Sequence, residues 1–538
     1  MKLATPDYIT KEARRRAPYQ SLDSARLSEP RLELIHRRLQ ALLRVVQLES
    51  NGAPIEIDGF RLRNPADWQT RLPSAMSELW HISTACNMRC PFCYEEGDPP
   101  GVSVLNEPAE MATLEEIETR LRYRNARAKT GVFQPLTYIN EIFCNPSAME
   151  IIERLRQESP DEVLTFVTNG TYLTEPVVAR LAKLRPIFFN FSVNSADPEI
   201  RRRILRDQNP SVAIDALRLL REYEIPYVGS LVCWPTIPWS DIKNTVRVLD
   251  AEGCAVVRYS LSAYSKHLKG RRFDRKEFWS QGLAVALQLM DEVDTPIKVE
   301  PYHYMDPTNE PNLAGVIKGS PAARSGLRTR DRIEAIDGVG VPTVNHALSQ
   351  LAKHARQSRP ISVRYRRHSD GAVAEATLDR TAAADAYPFG AMRELKGFEW
   401  GLVLVDNLRF SYFVDVRNAI EEHGARDVLI CSSELMKPVV EQMIADAGVF
   451  DGCRLFVEVP ENRHFGGTVV LGDLLTVSDY VAFIAEFTAK QPVDLVVIPS
   501  SPFTLGGWKR DLAGVPFTEI ERRSGTPVAL IECKPLQG

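Results

Sequence analysis

Residues 78–93 read Glu78-Leu-Trp-His-Ile-Ser-Thr-Ala85 and then Cys86-Asn-Met-Arg-Cys90-Pro-Phe-Cys93. The first half is a largely apolar stretch that predicts a strand, and the second half brings three cysteines together at the spacing C-x-x-x-C-x-x-C. An iron–sulfur cluster with four irons normally takes four cysteines. Three cysteines would therefore hold such a cluster and leave one iron open to another ligand.

Two other interpretations of these cysteines stay open. A structural zinc ion would need a fourth Cys or His at a matching spacing, and the nearby His81 lies in an alternating strand, which favours packing. A disulfide is disfavoured because nine cysteines is an odd number and the chain shows no secretion signal. The other six cysteines form no C-x-x-C pair, which argues against a second cluster, and Cys144 alone among them follows a candidate cofactor segment.

The cysteine spacing, with Phe92 before the third cysteine and Tyr94 after it, resembles the signature of the radical SAM superfamily. The resemblance implies a [4Fe-4S] cluster on Cys86, Cys90 and Cys93, whose open iron binds S-adenosylmethionine (SAM) through its amino and carboxylate groups. It also implies reductive cleavage of SAM to a 5′-deoxyadenosyl radical, with electrons from a donor such as flavodoxin or ferredoxin. The difficult chemistry would then belong to the cofactor.

Bulk composition limits the remaining possibilities. A length of 538 residues predicts three or four domains, and 44% hydrophobic with 25% charged residues is ordinary for a soluble globular protein. The net charge of −4 gives no broad basic field, so duplex nucleic acid is not an expected partner. No apolar run approaches the roughly 18 residues of a membrane span. We therefore expect no membrane partner and a cytoplasmic location.

Residues 78–305 alternate short apolar strands with helical segments, which predicts parallel βα units. The resemblance implies that these units form an α/β partial barrel, the (β/α)6 radical SAM fold, with working residues at the carboxyl ends of its strands. The predicted strands are 78–85, 135–140, 162–168, 187–193, 227–233 and 256–261. The predicted helices are about 113–128, 147–158, 175–184, 211–223 and 239–252.

The flanking segments predict three further units. Residues 1–77 include one amphipathic helix near Arg31–Leu48 and are expected to form an N-terminal helical extension. Within 306–380, the stretch Gly319-Ser320-Pro321 through Gly326 and the turn Asp337-Gly338 resemble a small PDZ domain of strands and helices. Such domains add a peptide as an extra strand, but the loop before Gly315 lacks the apolar Gly-rich pattern that binds a peptide carboxylate. An internal packing module is the open alternative.

Residues 388–538 are expected to form a C-terminal α/β domain. They resemble a domain of unknown function that occurs beside PDZ and radical SAM modules in bacterial proteins. The turn Gly466-Gly467-Thr468 precedes an apolar stretch. It could approach an anion or a substrate backbone, or it could simply be a tight turn.

Polar residues follow the predicted strands where the resemblance places SAM. Asn140 and Glu141 take the position of the family's Gly-Gly-Glu-like triplet, without its glycines, and are expected to accept hydrogen bonds from the SAM ammonium. Glu141 as a surface carboxylate is the alternative. After the third strand, Thr168-Asn169-Gly170 matches a Thr-Asn-Gly pattern of the family, and Asn169 is a candidate contact, although Asn-Gly makes a turn in any case.

The later strands supply the remaining candidates. Ser192 and Asn194 could bind the SAM carboxylate or ribose, and Arg202 or Arg203 could reach the methionine carboxylate unless their helix presents an exposed arginine face. Val232 and Ser260 are candidates for adenine and ribose. The full set of predicted cofactor contacts is Phe92, Tyr94, Asn140, Glu141, Asn169, Ser192, Asn194, Arg203, Val232 and Ser260.

Two functional hypotheses follow. The first is a radical SAM enzyme that abstracts hydrogen from an unknown small-molecule or peptide substrate. The second is a protein that uses a cluster to sense SAM or redox state, or to dock a partner, without turnover. Several matching parts of one site favour catalysis.

Overall fold

The computed structural model describes residues 48–50, 53–57, 60–61, 82–83, 85–93, 97, 99, 111–122, 141–158, 160–161, 163–270, 272–355, 357, 359–381, 389, 397–448, 450, 452–505 and 509–533. The predicted helix near Arg31–Leu48, apart from its last residue, and the predicted strand at 135–140 lie outside these residues, as does most of 78–85. The described part of the N-terminal extension is a small antiparallel sheet rather than a helix. Its strands are β1 (Leu48–Ser50), β2 (Ala53–Ile57) and β3 (Phe60–Arg61).

The centre of the molecule is a five-stranded, all-parallel sheet with helices between its strands, which confirms the predicted α/β class. The strands lie side by side in chain order: β4 (Leu164–Thr168), β5 (Ile187–Ser192), β6 (Tyr227–Cys233), β7 (Val257–Leu261) and β8 (Ile297–Glu300). The helices are α1 (Leu114–Arg122), α2 (Ala148–Glu158), α3 (Glu175–Ala182), α4 (Pro198–Ile200, continued by the π-turn Arg201–Leu205), α5 (Pro210–Glu222), α6 (Trp239–Ala251), α7 (Arg275–Met290) and α8 (Tyr302–Met305).

The two faces of this sheet differ in burial. One face carries apolar side chains such as Phe166, Leu231 and Tyr259, which pack in a single core with the apolar faces of the helices. Every second residue of each strand points away from the helices and forms the other face. That face is mostly polar, and its side chains are half-buried towards the carboxyl ends of the strands. This second, concave face is where a barrel of this kind can admit a ligand.

Helix α7 and strand β8 were not predicted. The helix carries apolar residues on several sides and Gly282 at its centre, so it lacks a clear apolar stripe. The strand has only four residues, and Lys298 and Glu300 interrupt its apolar pattern. Both elements gain their burial from neighbours that lie far away in the sequence.

The next unit has the strand and helix order expected of the PDZ-like segment. An antiparallel sheet has the order β11-β10-β12-β13, and a short pair joins β9 to β14. The elements are β9 (Gly315–Val316), α9 (Pro321–Arg324), β10 (Arg332–Ile336), β11 (Val339–Gly340), α10 (Val344–His354), β12 (Ile361–Arg366), β13 (Val373–Leu378) and β14 (Leu402–Val403). Ser320 caps α9 by accepting a hydrogen bond from the Ala323 N–H at 3.1 Å, as its Ser-Pro sequence predicts.

The C-terminal part is a second parallel α/β sheet, with the strand order β16-β15-β17-β18. Its elements are α11 (Phe410–His423), β15 (Asp427–Cys431), α12 (Lys437–Ala447), β16 (Arg454–Glu458), α13 (Val477–Thr488), β17 (Leu495–Pro499), α14 (Pro502–Leu505), α15 (Thr518–Ser524) and β18 (Val528–Ile531). Among the described residues, no helix combines the length and apolar character needed to span a bilayer.

The Gly466-Gly467-Thr468 turn attaches this C-terminal unit to the central sheet. Lys266 N–H donates to the Phe465 carbonyl at 2.8 Å, and Thr468 N–H donates to the Tyr264 carbonyl at 2.8 Å. Tyr264 and Lys266 belong to the segment that leaves the carboxyl end of β7. The turn therefore contacts the backbone of the segment after β7 in the same chain.

Candidate cluster and cofactor site

The loop Cys86–Cys93 holds the three cysteines together at partial exposure. The Cys93 N–H donates to the Cys90 carbonyl at 3.0 Å, which closes a turn between them. Burial, together with the charges of Cys86 and Cys93, raises the pKa of Cys90 to about 12. A cationic centre between the three sulfur atoms would favour their thiolate forms, and an iron–sulfur cluster is one group that supplies it.

The geometry of the described side chains gives no sign of a site for a single metal ion. Among the described residues, no three His, Cys, Asp or Glu side chains converge closely enough to hold one metal ion. In a cluster each thiolate binds a different iron, so its sulfur atoms need not converge on one point. The zinc interpretation, which requires a four-ligand tetrahedron, gains no support from this loop.

Two contacts fix the cysteine loop to the edge of the sheet. The Asn169 side-chain amide donates to the Asn87 side-chain oxygen at 2.7 Å, and the Arg89 N–H donates to the Leu205 carbonyl at 3.0 Å. Asn169 lies directly after β4, where Gly170 adopts a left-handed φ of 81°. The predicted Thr-Asn-Gly turn thus holds the cysteine loop in place. The sequence analysis did not predict this contact.

Arg201 is a fully buried cation beside this loop, with 0% exposure. Its guanidinium pairs with Asp207 at 2.7 Å and donates to the carbonyls of Val193 at 2.5 Å and Asn169 at 2.8 Å. Its positive charge acts on Cys90 and favours the thiolate form. The sequence analysis proposed Arg202 or Arg203 as the arginine of this site. Both are exposed, whereas Arg201 is buried.

Glu141 is buried, with 1% exposure, so the alternative of a surface carboxylate is wrong. Its oxygens accept hydrogen bonds from the Thr168 hydroxyl at 2.9 Å and from the N–H groups of Asn169 at 2.6 Å and Phe143 at 3.3 Å. Burial raises the pKa of Glu141 to about 7, although these donors lower it. The carboxylate therefore joins the short 3-10 turn Ile142–Cys144, which precedes α2, to the end of β4.

The ends of β5 and β6 are joined by Asn194, which has a left-handed φ of 58°. Its side-chain oxygen accepts from the Val232 N–H at 3.2 Å, and its side-chain amide donates to the Ser192 carbonyl at 3.4 Å. The structure thus brings three predicted cofactor contacts to one edge of the sheet. Binding of SAM by these residues stays a prediction.

A charged cluster that the sequence analysis missed lies on the concave face. Glu300 pairs with Arg258 at 2.8 Å and with Lys298 at 3.1 Å, and it accepts from the predicted contact Ser260 at 3.2 Å. Burial acts to raise the pKa of Glu300, but the two cations outweigh it and lower the pKa to about 2. Charged residues alternating with apolar ones in β7 and β8 were the available signal.

The other predicted residues divide into three groups. Tyr94 and Asn140 lie outside the described residues. Phe92 packs on the core of the sheet, with its ring centroid 6.2 Å from that of Trp234. Cys144 lies beside the cysteine loop, since the Asn87 N–H donates to its sulfur atom, and its thiol is 3.8 Å from the Tyr172 hydroxyl.

Comparison with known proteins agrees with this geometry. Residues 80–249 match the profile of the Radical SAM superfamily, and residues 313–366 match that of the PDZ domain. The chain contains a radical SAM domain. The matched span includes the cysteine loop and strands β4 to β6, and the PDZ match covers the antiparallel unit up to β12.

Individual relatives of the radical SAM domain are distant. The probable GTP 3′,8-cyclase of Thermococcus kodakarensis is 24% identical over 198 residues, which cover 37% of this chain and 60% of that protein. SuiB of Streptococcus suis bound to its precursor peptide SuiA is 15% identical, with a TM-score of 0.27, and covers 41% of this chain and 47% of that one. The peptide-bound structure of anSMEcpe with AdoMet is 14% identical, with a TM-score of 0.29, and covers 39% and 57%. The chain thus spans less than two thirds of the length of each of these proteins.

Proposed function

We propose that this protein is a radical SAM enzyme that binds a [4Fe-4S] cluster on Cys86, Cys90 and Cys93 and SAM at the open iron. When bound, this pair of cofactors supplies reductive cleavage of SAM and a 5′-deoxyadenosyl radical that removes a hydrogen atom from the substrate. The single observation that carries the proposal is the cysteine trio. Its thiols oppose one another's ionisation and stand on a loop fixed to the carboxyl edge of a parallel sheet.

The surrounding residues have structural and electrostatic tasks in this proposal. Arg201 favours the Cys90 thiolate, and Asn169 fixes the loop through Asn87. Asn194 keeps the ends of β5 and β6 together, which leaves Ser192 and Val232 as the proposed SAM contacts beside it. Glu141 holds the turn after β4 and is the proposed acceptor for the SAM ammonium.

The concave face favours a polar substrate. Arg258, Lys298 and Glu300 present two cations and one anion there, and Ser260 adds a hydroxyl group. A small molecule or a peptide with polar groups would find further partners among them, whereas an apolar substrate would remove their hydration without adding hydrogen bonds. We propose the unit boundaries 1–77, 78–305, 306–380 and 388–538, with Leu402–Val403 of the last unit adding a strand to the PDZ-like one. We also propose a cytoplasmic location, which nine cysteines without a disulfide support.

The proposal is tested by anaerobic reconstitution with iron and sulfide, followed by addition of dithionite and SAM. We expect broad visible absorbance from iron–sulfide charge transfer and formation of 5′-deoxyadenosine. A variant with Cys86, Cys90 and Cys93 all changed to Ala should lose both. A loaded protein that shows the absorbance but yields no 5′-deoxyadenosine would contradict the proposed activity.

The second candidate function, a cluster without turnover, is favoured by one observation. Cys144 stands near enough to Cys86 for their charges to interact. A fourth thiolate on the cluster would close the iron that SAM needs and would leave a redox-sensing centre.

A further inference from the structure

The C-terminal sheet has a topological switch point. Its first strand, β15, pairs with β16 on one side and with β17 on the other, both in parallel. The chain therefore leaves the carboxyl ends of β15 and β17 in opposite directions, and a crevice opens between them. In open α/β sheets ligands bind in this crevice, outside the carboxyl ends of the strands.

A cavity of about 100 Å³ lies at this place. Cys431, Ser432 and Ser433 line it from the end of β15, and Pro499 and Ser501 line it from the end of β17. Apolar cavities on the order of 150 Å³ take up benzene, so this smaller volume suits a molecule no larger than a single ring.

Tyr480, on α13, lines the same cavity and is fully buried, with 0% exposure. Its hydroxyl oxygen is buried and has no hydrogen-bond partner in the part of the chain that the structure describes. A buried hydroxyl without a partner destabilises the folded chain, and buried tyrosine hydroxyls usually find one. The free hydroxyl in a cavity at a switch point indicates a ligand that supplies the missing partner.

The lining defines the charge of this ligand. Among the described lining residues there is no lysine or arginine and one carboxylate, Asp473, and burial lowers the pKa of His303, which keeps that side chain neutral. Burial also raises the pKa of the thiols of Cys431 and Cys533, so they are not thiolates. An anion such as a phosphate or carboxylate would find no counter-charge here.

Most of the wall is apolar. Side chains of α12, of the loop before it and of the loop before α13 supply Leu435, Met436, Val440 and Leu475. We infer that this cavity binds a small molecule without negative charge, apolar except for one polar group that hydrogen-bonds to the Tyr480 hydroxyl. The site is separate from the cysteine loop and does not depend on the proposed radical chemistry.

Three single-ring probes test the inference on the full-length protein by ligand-detected NMR titration: phenol, benzene and benzoate. We expect saturable binding of phenol, weaker binding of benzene and weakest binding of benzoate. Tyr480→Phe keeps the shape of the cavity and removes the hydroxyl. It should weaken phenol binding about three- to tenfold and leave benzene binding unchanged, since one hydrogen bond is lost.

Tyr227→Phe is the matched control, because the Tyr227 hydroxyl is bonded to the Glu252 carbonyl at 3.1 Å, away from the cavity. It should leave phenol binding unchanged and lower the unfolding temperature, whereas Tyr480→Phe should raise the unfolding temperature of the free protein. The inference is overturned if phenol does not saturate, if benzoate binds more tightly than phenol, or if Tyr480→Phe leaves the preference for phenol over benzene intact.

Discussion

At the scale of single residues, neighbouring charges determine how readily Cys90 becomes a thiolate that can bind iron. Burial and two adjacent thiols raise the pKa of Cys90, while Arg201 opposes that shift. Cys144, outside the motif, feels the Cys86 charge as well, and burial raises its pKa to about 11. Which of these thiols bind iron decides whether one iron stays open, and so separates the two candidate functions.

We predict that Cys144→Ala keeps the visible absorbance of the reconstituted cluster and still supports SAM cleavage, because Cys144 is not part of the proposed ligand set. Cys86→Ala is the matched change within the motif and should lose most of the absorbance. The measurement is iron content and absorbance after anaerobic reconstitution. If Cys144→Ala also loses the cluster, the result would favour a cluster with four cysteine ligands and the sensing function.

A second prediction concerns pH and Glu141. Its pKa in the folded chain is about 7, above its ordinary value of 4.5, so the folded state binds the proton more tightly than the unfolded state. The stability that this proton contributes is fully present below pH 4.5 and is lost as pH rises through about 7, with a size on the order of 3 kcal/mol. Glu141→Gln removes the titration.

Thermal unfolding of both proteins between pH 4 and pH 8 checks this, in the same state of cluster loading. The wild type should lose stability relative to Glu141→Gln as pH rises, whatever the absolute stability of the variant. Parallel pH profiles for the two proteins would show that Glu141 keeps an ordinary pKa.

At the scale of elements, the turn after β4 is the part on which the cluster loop rests. Gly170 has a φ of 81°, and a Cβ atom there would stand 2.2 Å from the Phe191 ring on β5. The turn needs glycine for two reasons, the left-handed backbone and the close ring. Its loss would move Asn169 and, through it, Asn87.

We therefore predict that Gly170→Ala destabilises the barrel by several kcal/mol, on the order of a core overpacking change plus left-handed strain, and lowers cluster occupancy. Gly253→Ala is the matched control, since Gly253 has a φ of 76° but its Cβ would meet only the flexible Arg221 side chain at 3.6 Å. Gly253→Ala should lower the free energy of unfolding by about 1–2 kcal/mol. Unfolding midpoints and iron content of both variants provide the comparison, and equal losses would refute a special role for the turn.

At the scale of the whole molecule, the C-terminal unit is tied to the segment after β7. Besides the backbone bonds of Phe465 and Thr468, Arg275 pairs with Glu434 at 2.7 Å across the same junction. Gly467 is central to this contact, because a Cβ atom there would stand 2.2 Å from the Tyr264 carbonyl oxygen. Backbone cannot move aside as a side-chain tip can, so the junction depends on glycine at this position.

We predict that Gly467→Ala loosens the junction and exposes the segment around Tyr264 to protease, with at least a severalfold faster cleavage there. Gly514→Ala is the control, since Gly514 has a similar left-handed φ of 79° but an open environment. Limited proteolysis with mapping of the first cuts distinguishes the two variants. Unchanged cleavage in Gly467→Ala would mean that the junction tolerates the shift.

The sequence alone determined the cysteine loop and most of the central α/β pattern. The three cysteines lie within eight residues, and the alternation of short apolar strands with amphipathic helices is a local signal, so neither depends on distant parts of the chain. Four predicted strands, at 162–168, 187–193, 227–233 and 256–261, are strands in the structure within two residues.

Only the tertiary structure decided which polar residues are buried and which residues they contact. Arg201 pairs with Asp207 and reaches Asn169, Glu141 meets Thr168, and Gly467 meets Tyr264, although up to about two hundred residues separate such partners in the sequence. The cavity beside Tyr480 arises in the same way, because strand order is a property of the assembled sheet. Local patterns fix elements, whereas burial and pairing follow from contacts that form only when distant segments pack together.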